Sequence, residues 1–408
     1  MSTLIDEIRN GVVPLPVARV ARDEGIDPGQ LCRSITEGSA VVMQRGERCT
    51  GIGRGLATKI NVNLGTSTGK ISVDDEIRKA QIAEHFGAHT ISDLSMGGDI
   101  SLIRKNIFTS TTLPITTVPV YQAVAEHGLG DLTAEDILSM LELQAQEGVS
   151  SVVVHGVSRA MLGRYHKKER VLGMVSKGGS ITSAFMLMHE CENPFLEQFD
   201  RVLATCRKHD IVLSLGNTAR SGCIHDLMDD FMRAEVEQNV KLAQQAQAAG
   251  VQVIVEGCGG HIRSDRIPEY IRYYKDRSVF PLFVAGPLPT DIAVGYDHIA
   301  GACGGSAAAA AGADYLCYIT PAEHLGLPSP EAVKEGLIAF RIAAHIGDTV
   351  KYGRDATDRE VALHRAALDQ EGQIRCAMDP ERARNLADEG EECTMCGKFC
   401  AIKMMRDL

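Results

Sequence analysis

The sequence predicts an α/β protein built on a (β/α)8 TIM barrel, and three observations carry that prediction. Eight short apolar runs recur along the chain, helical patterns separate them, and the alternation is kept over about 290 residues, 56–346. A short segment, 1–55, reads as small helices and a hairpin ahead of the barrel. From 347 to 408 the composition turns polar and charged, as in a helical appendage leading to a cysteine-rich tail.

The predicted strands are KINVNL (59–64), HTISDL (89–94), PITTVPV (114–120), SSVVVHG (150–156), IVLSLG (211–216), VQVIVEG (251–257), LFVAGPL (282–288) and DYLCYIT (314–320). They are rich in β-branched residues and nearly continuously apolar, as strands covered on both faces should be. Helices between them announce their ends. Ser72 and Thr133 each precede a helical pattern with an acid three residues on, and Gly87 and Gly148 are placed to close those helices. AEVEQNVKLAQQAQAAG (234–250) is the plainest helical pattern, and Ser329–Pro330 opens the last. A doubly wound open sheet shares this alternation, but no GxGxxG follows the first strand.

Composition narrows the function. A formal charge of −11 is wrong for a general nucleic-acid binder, which must present a basic surface to phosphates. No apolar run has the length of a membrane span, and the N-terminus lacks the apolar stretch of a signal peptide, so a cytoplasmic protein is expected. Most of the 12 cysteines, among them Cys32, Cys206 and Cys317, stand alone in apolar or glycine-rich surroundings, as small buried hydrophobes of a reduced compartment do.

A barrel works at the C-terminal ends of its strands. Asn63, Asp93, Ser95, Tyr121, His155, Asn217, Arg220, Glu256, His261 and His324 all fall at or after predicted strands. Loops are polar in any protein, yet this density of Asn, His, Glu and Arg is that of a site. Glu256, a carboxylate at a strand end, is the candidate for proton exchange with a bound substrate. A hydrolase using a metal at His261 and His324 to activate water is one reading; a non-catalytic metal protein on a barrel scaffold is another.

The tail holds the sharpest signal, Cys393-Thr-Met-Cys396-Gly-Lys-Phe-Cys400. Three thiolates in one short loop suit three corners of a [4Fe–4S] cluster, leaving one iron open to an exogenous ligand. A zinc knuckle would need a fourth Cys or His, and 377–408 offers none beyond these three; redox-active thiols are the remaining reading.

This tail resembles the cluster motif of the phosphomethylpyrimidine synthase (ThiC-like) family of radical S-adenosylmethionine (radical SAM) enzymes. The likeness runs through KINVNLGTS, DLSMGG, PITTVPVYQA, VSKGGS, LSLGNTARSG, VEGCGGH, AGPLPTDIAVGYDHI and CYITPAEHLGLP, roughly residues 50–408. It implies a barrel enzyme that dimerises, the cluster tail of one subunit reaching its partner's active site. It also implies 5-aminoimidazole ribotide as substrate, S-adenosylmethionine as radical source and an external one-electron reductant. By motif, Asn63, Tyr121, His155, Ser176-Lys177-Gly178, Arg220 and Glu256 would hold the ribotide, Tyr121, His155 and Glu256 as the catalytic group. Cys393, Cys396 and Cys400 would bind the cluster, and His261 and His324 a second divalent metal, zinc or iron.

One branch of the family makes the thiamin pyrimidine; the other makes 5-hydroxybenzimidazole, the lower-ligand precursor of anaerobic cobamide (cobalamin) biosynthesis. The thiamin branch has Asp-Gly-Leu-Arg where this chain has Asn217-Thr218-Ala219-Arg220, Met at Ser92 and Tyr at Phe283. Its EGPGH is here EGCGGH, and its CxxCx4C tail is here one residue shorter. Because the changes fall where the ribotide would touch, the resemblance points to 5-hydroxybenzimidazole synthase, a carbon–carbon lyase, with the pyrimidine synthase as the alternative.

Overall fold

The computed structural model describes residues 2–387 and 394–406. An antiparallel hairpin, β1 (Ala40–Arg45) and β2 (Arg48–Gly53), precedes eight parallel strands. These are β3 (Lys59–Leu64), β4 (Thr90–Asp93), β5 (Ile115–Thr117), β6 (Ser151–Val154), β7 (Val212–Leu215), β8 (Val253–Glu256), β9 (Leu282–Ala285) and β10 (Tyr315–Cys317). They run in sequence order and β10 pairs with β3, closing a (β/α)8 barrel. All eight predicted runs contain a strand.

The boundaries show what periodicity misses. The third run is a strand only through Thr117; Val118 is extended and Pro119 opens the helix Pro119–His127, since a proline suits the first helical position. The helix expected at 234–250 begins earlier, at Asp230, where the Asp229 side chain accepts from Met232 N. Ser72 and Thr133 do cap their helices, the latter in a complete capping box, and Gly87 and Gly148 lie just past the caps with φ of +83° and +93°.

Polar side chains fill part of the barrel interior. Asn61 on β3 is fully buried, and its Oδ1 accepts from Thr90 Oγ1 and Ser92 Oγ at 3.0 Å and from Tyr315 OH at 3.3 Å. Its Nδ2 donates to Asn63 Oδ1 at 2.8 Å. One amide thus ties β3 to β4 on one side and to β10 on the other. The opposite end of the barrel is plugged: Val41, Met43 and Ile52 of the hairpin pack on Val212, Ile254 and Tyr315. Gln252 fixes the plug by exchanging two hydrogen bonds with the Val42 backbone.

The chain divides into two compact units, 1–348 and 349–408. In the second, short helices Ala356–Ala366, Gln370–Arg375, Pro380–Leu386 and Ala401–Arg406 follow one another. Among the described residues, no helix is long and apolar enough to cross a membrane.

Asn61→Ala should cost about 3 kcal/mol in denaturant unfolding, because three buried hydroxyls lose an acceptor together. A loss below about 1 kcal/mol would mean that water or rotation satisfies them.

Candidate active site

A cavity of about 120 Å³ lies at the C-terminal ends of the strands. Asn63, Ser92, Glu256 and Phe283 reach it from the strands themselves, the most rigid positions a barrel offers. His155 and Asn217 lie just past β6 and β7, Arg220 on the loop beyond, and Tyr121 in the first turn of its helix. Eight residues singled out in the sequence therefore share one cavity. Asp93 and Ser95 do not line it: Asp93 bonds Ser95 and meets Arg104 Nε at 3.1 Å in a buried structural network. Cys317, read from sequence as a small buried hydrophobe, is buried but also lines the cavity, its Sγ 3.0 Å from Asn63 Nδ2. Its place at the end of the last strand was the available signal.

Burial sets the protonation states. The His155 ring is wedged against Gly178, where a Cβ would stand 2.2 Å from the ring, so only glycine fits there. Burial, aided by the Arg220 charge, pushes His155 down to about 3, so the ring is neutral; its Nδ1 finds no partner among the described residues. Glu256 accepts from Ser214 Oγ at 2.9 Å. Its carboxyl is raised by burial, against the opposing pulls of the Ser214 hydrogen bond and the Arg220 charge. Tyr121 is pushed up to about 12 by burial and stays a phenol, and Lys177 is lowered by burial and then by Arg220.

Ser176-Lys177-Gly178 is the start of a helix, Lys177–Met188, rather than an isolated turn. Ser176 caps it by accepting from Gly179 N at 3.2 Å, and the Lys177 ammonium stands 5.3 Å from the Tyr121 ring centre. A helix N-terminus with a lysine and an arginine close by is suited to a phosphate. Ser176 and Gly178 shape this end and are themselves buried.

His261 and His324 come together. Their Nε2 atoms are 3.3 Å apart, and Asp291 Oδ1 holds His261 Nδ1 at 2.6 Å. A carboxylate on Nδ1 fixes the proton there and leaves Nε2 as a lone-pair donor, the arrangement of a metal-ligating histidine. His324 sits at φ +62°, a conformation uncommon for a side-chain-bearing residue. Two convergent imidazole nitrogens fit a divalent ion of zinc or iron type. Asp291 was missed in the sequence, although it stands in the quoted AGPLPTD segment. A second cavity, about 510 Å³, is lined by His324, Glu323 and Lys177 and shares Asn63 and Leu94 with the first. Glu323 is raised by burial.

A profile described as the radical SAM ThiC family matches residues 3–407. The chain belongs to that family. A phosphomethylpyrimidine synthase of Dehalococcoides mccartyi is 44% identical over 419 residues, covering 98% of this chain and 97% of that protein. Those of Ignicoccus hospitalis and Archaeoglobus fulgidus are each 41% identical, covering 99% of this chain and 96% and 99% of theirs.

A ThiC-family enzyme of the radical SAM class uses a [4Fe–4S] cluster, S-adenosylmethionine and a further metal. Cys396 and Cys400 flank a single 3₁₀ turn, Gly397–Phe399, and both thiols are free, as cluster ligands must be. Cys393 lies outside the described residues. Beside these thiols Met395, Phe399 and Met405 are at least 70% exposed.

Asp291→Asn should weaken divalent-metal binding at the histidine pair about 10- to 100-fold, read by titrating zinc into chelator-stripped protein. An unchanged affinity would show that Asp291 does not orient His261 toward a metal.

Proposed function

We propose that this ThiC-family enzyme rearranges 5-aminoimidazole ribotide to 5-hydroxybenzimidazole. One observation carries the choice of product: Ser92, Asn217 and Phe283, three positions that depart from the thiamin-branch pattern, all line the same inner cavity. Asn217 is also locked from behind, its Nδ2 donating to Glu235 Oε2 at 2.5 Å. Glu235 is fully buried and raised to about 7 by burial. An aspartate at 217 would set a second carboxylate against it, so the neutral amide suits this pocket.

Lys177, Arg220 and the N-terminus of the helix Lys177–Met188 would hold the ribotide phosphate, and Asn63, Tyr121 and neutral His155 would orient the imidazole and ribose. Glu256 would exchange protons with the substrate; burial raises its carboxyl, which favours its protonated form more than water would. Cys393, Cys396 and Cys400 would carry the cluster, which with S-adenosylmethionine supplies a 5′-deoxyadenosyl radical when bound. The exposed Met395, Phe399 and Met405 beside these thiols support a tail that docks into the active site of a partner subunit in a homodimer. An external one-electron donor completes the requirements. The second reading, the thiamin pyrimidine from the same ribotide, is favoured by the names of the curated relatives.

Anaerobic incubation of reconstituted enzyme with 5-aminoimidazole ribotide, S-adenosylmethionine and dithionite should give 5′-deoxyadenosine and a fluorescent benzimidazole. A phosphorylated pyrimidine instead would place the enzyme in the thiamin branch. Replacing Cys393, Cys396 and Cys400 together by alanine should abolish both products.

Turnover should also report Glu256. Glu256→Gln should slow it sharply. Ser214→Ala removes a donor that lowers the Glu256 carboxyl, so that carboxyl rises further. If ionised Glu256 is the working form, the acid limb of kcat then moves to higher pH. A limb that stays put would take Glu256 out of the proton-transfer role.

A further inference from the structure

We infer that Glu360, His364 and Cys376 form a zinc site, built from residues other than the cluster cysteines and the His261–His324 pair. It would fasten the helix Ala356–Ala366 to the helix Gln370–Arg375 within the unit 349–408.

Three different ligand types converge. Glu360 and His364 are four residues apart on one helix and so share a face. The chain turns through Leu368, at φ +60°, and Cys376 stands at the C-terminal end of the next helix. One carboxylate oxygen, one imidazole nitrogen and the Cys376 sulfur all lie within 4.8 Å of one another. Among the described residues no other group of three or more such side chains comes together. Bonds of about 2.0–2.3 Å to a tetrahedral zinc place ligands about 3–4 Å apart, a contraction within reach of side-chain rotation.

The histidine is oriented before any ion arrives. Asp369 Oδ2 holds His364 Nδ1 at 2.8 Å, while Asp369 Oδ1 accepts from Gly372 N at 2.8 Å and so caps the following helix. The proton is thereby placed on Nδ1 and the Nε2 lone pair is left free to ligate. Nε2 is 4.0 Å from Glu360 Oε1, too long for a hydrogen bond but suited to two ligands of one ion. Gly372 makes the approach possible, since a Cβ there would stand 2.1 Å from His364 Nδ1. A mere Glu–His pair on a helix surface needs neither the carboxylate behind the ring nor the missing side chain beneath it.

Donor chemistry selects the ion. A mixed nitrogen, oxygen and sulfur set excludes calcium and magnesium, which prefer oxygen, and suits zinc with its fourth position open to water. The helices have reason to use one. Ala356–Ala366 and Pro380–Leu386 bury no residue, and Gln370–Arg375 buries only Gly372 and Ile374. Segments with so little apolar burial are those in which metal binding becomes folding energy.

The test is zinc X-ray absorption on the full-length chain with its iron–sulfur cluster reconstituted and His261 and His324 both replaced by alanine. One equivalent of zinc should remain, with a single sulfur in its shell. In that background Cys376→Ser should remove the sulfur, and Asp369→Asn should weaken zinc about 10- to 100-fold. Far-UV circular dichroism checks that both variants stay folded. The site is refuted if the double-histidine protein holds no zinc, or if its zinc keeps the same sulfur count after Cys376→Ser.

Discussion

A single buried amide organises the working half of this barrel. Asn61 accepts from both neighbouring strands and donates along its own, so β3, β4 and the closing strand β10 share one hydrogen-bond centre. In an apolar interior every one of those groups must be partnered, which leaves little freedom in how the first and last strands meet. Asn63 is fixed in turn, bonded to Asn61 on one side and facing the Cys317 sulfur on the other. The cavity floor is therefore set by the same bonds that close the barrel.

Above that floor the site is governed by desolvation. His155, Tyr121 and Lys177 are each moved toward their neutral forms by burial, and so is Glu256. The Arg220 charge lowers all four: it opposes burial at the two acids, Tyr121 and Glu256, and reinforces it at the two bases, His155 and Lys177. In such a water-poor pocket the charge of Arg220 is felt strongly by each of these groups.

How much of this was readable beforehand differs by scale. The eight strands were legible because each is buried on both faces and so reads as a short, β-branched and mostly apolar run. The third was drawn too long because Val118–Val120 is apolar in either state, and only the proline marks the change to helix. Site residues on strand ends were legible for the same reason as the strands. Asp291 was not: it lies 30 residues from His261 in a loop, and only the fold brings them to 2.6 Å. Asn61 was hidden inside a strand run, where a polar residue looks like ordinary alternation. Cys376 carried no signal in the sequence, since its neighbours Glu360 and His364 belong to another helix.

The hairpin plug has a consequence for traffic through the enzyme. With Val41, Met43 and Ile52 seated on the lower barrel layer, the interior is a vessel with one mouth. The inner cavity and the wider one beside His324 share Asn63 and Leu94 as a common wall. A molecule in the outer chamber therefore touches two of the residues that line the inner one. With its lower end filled by the hairpin, the barrel leaves both chambers to be approached from the C-terminal side of its strands.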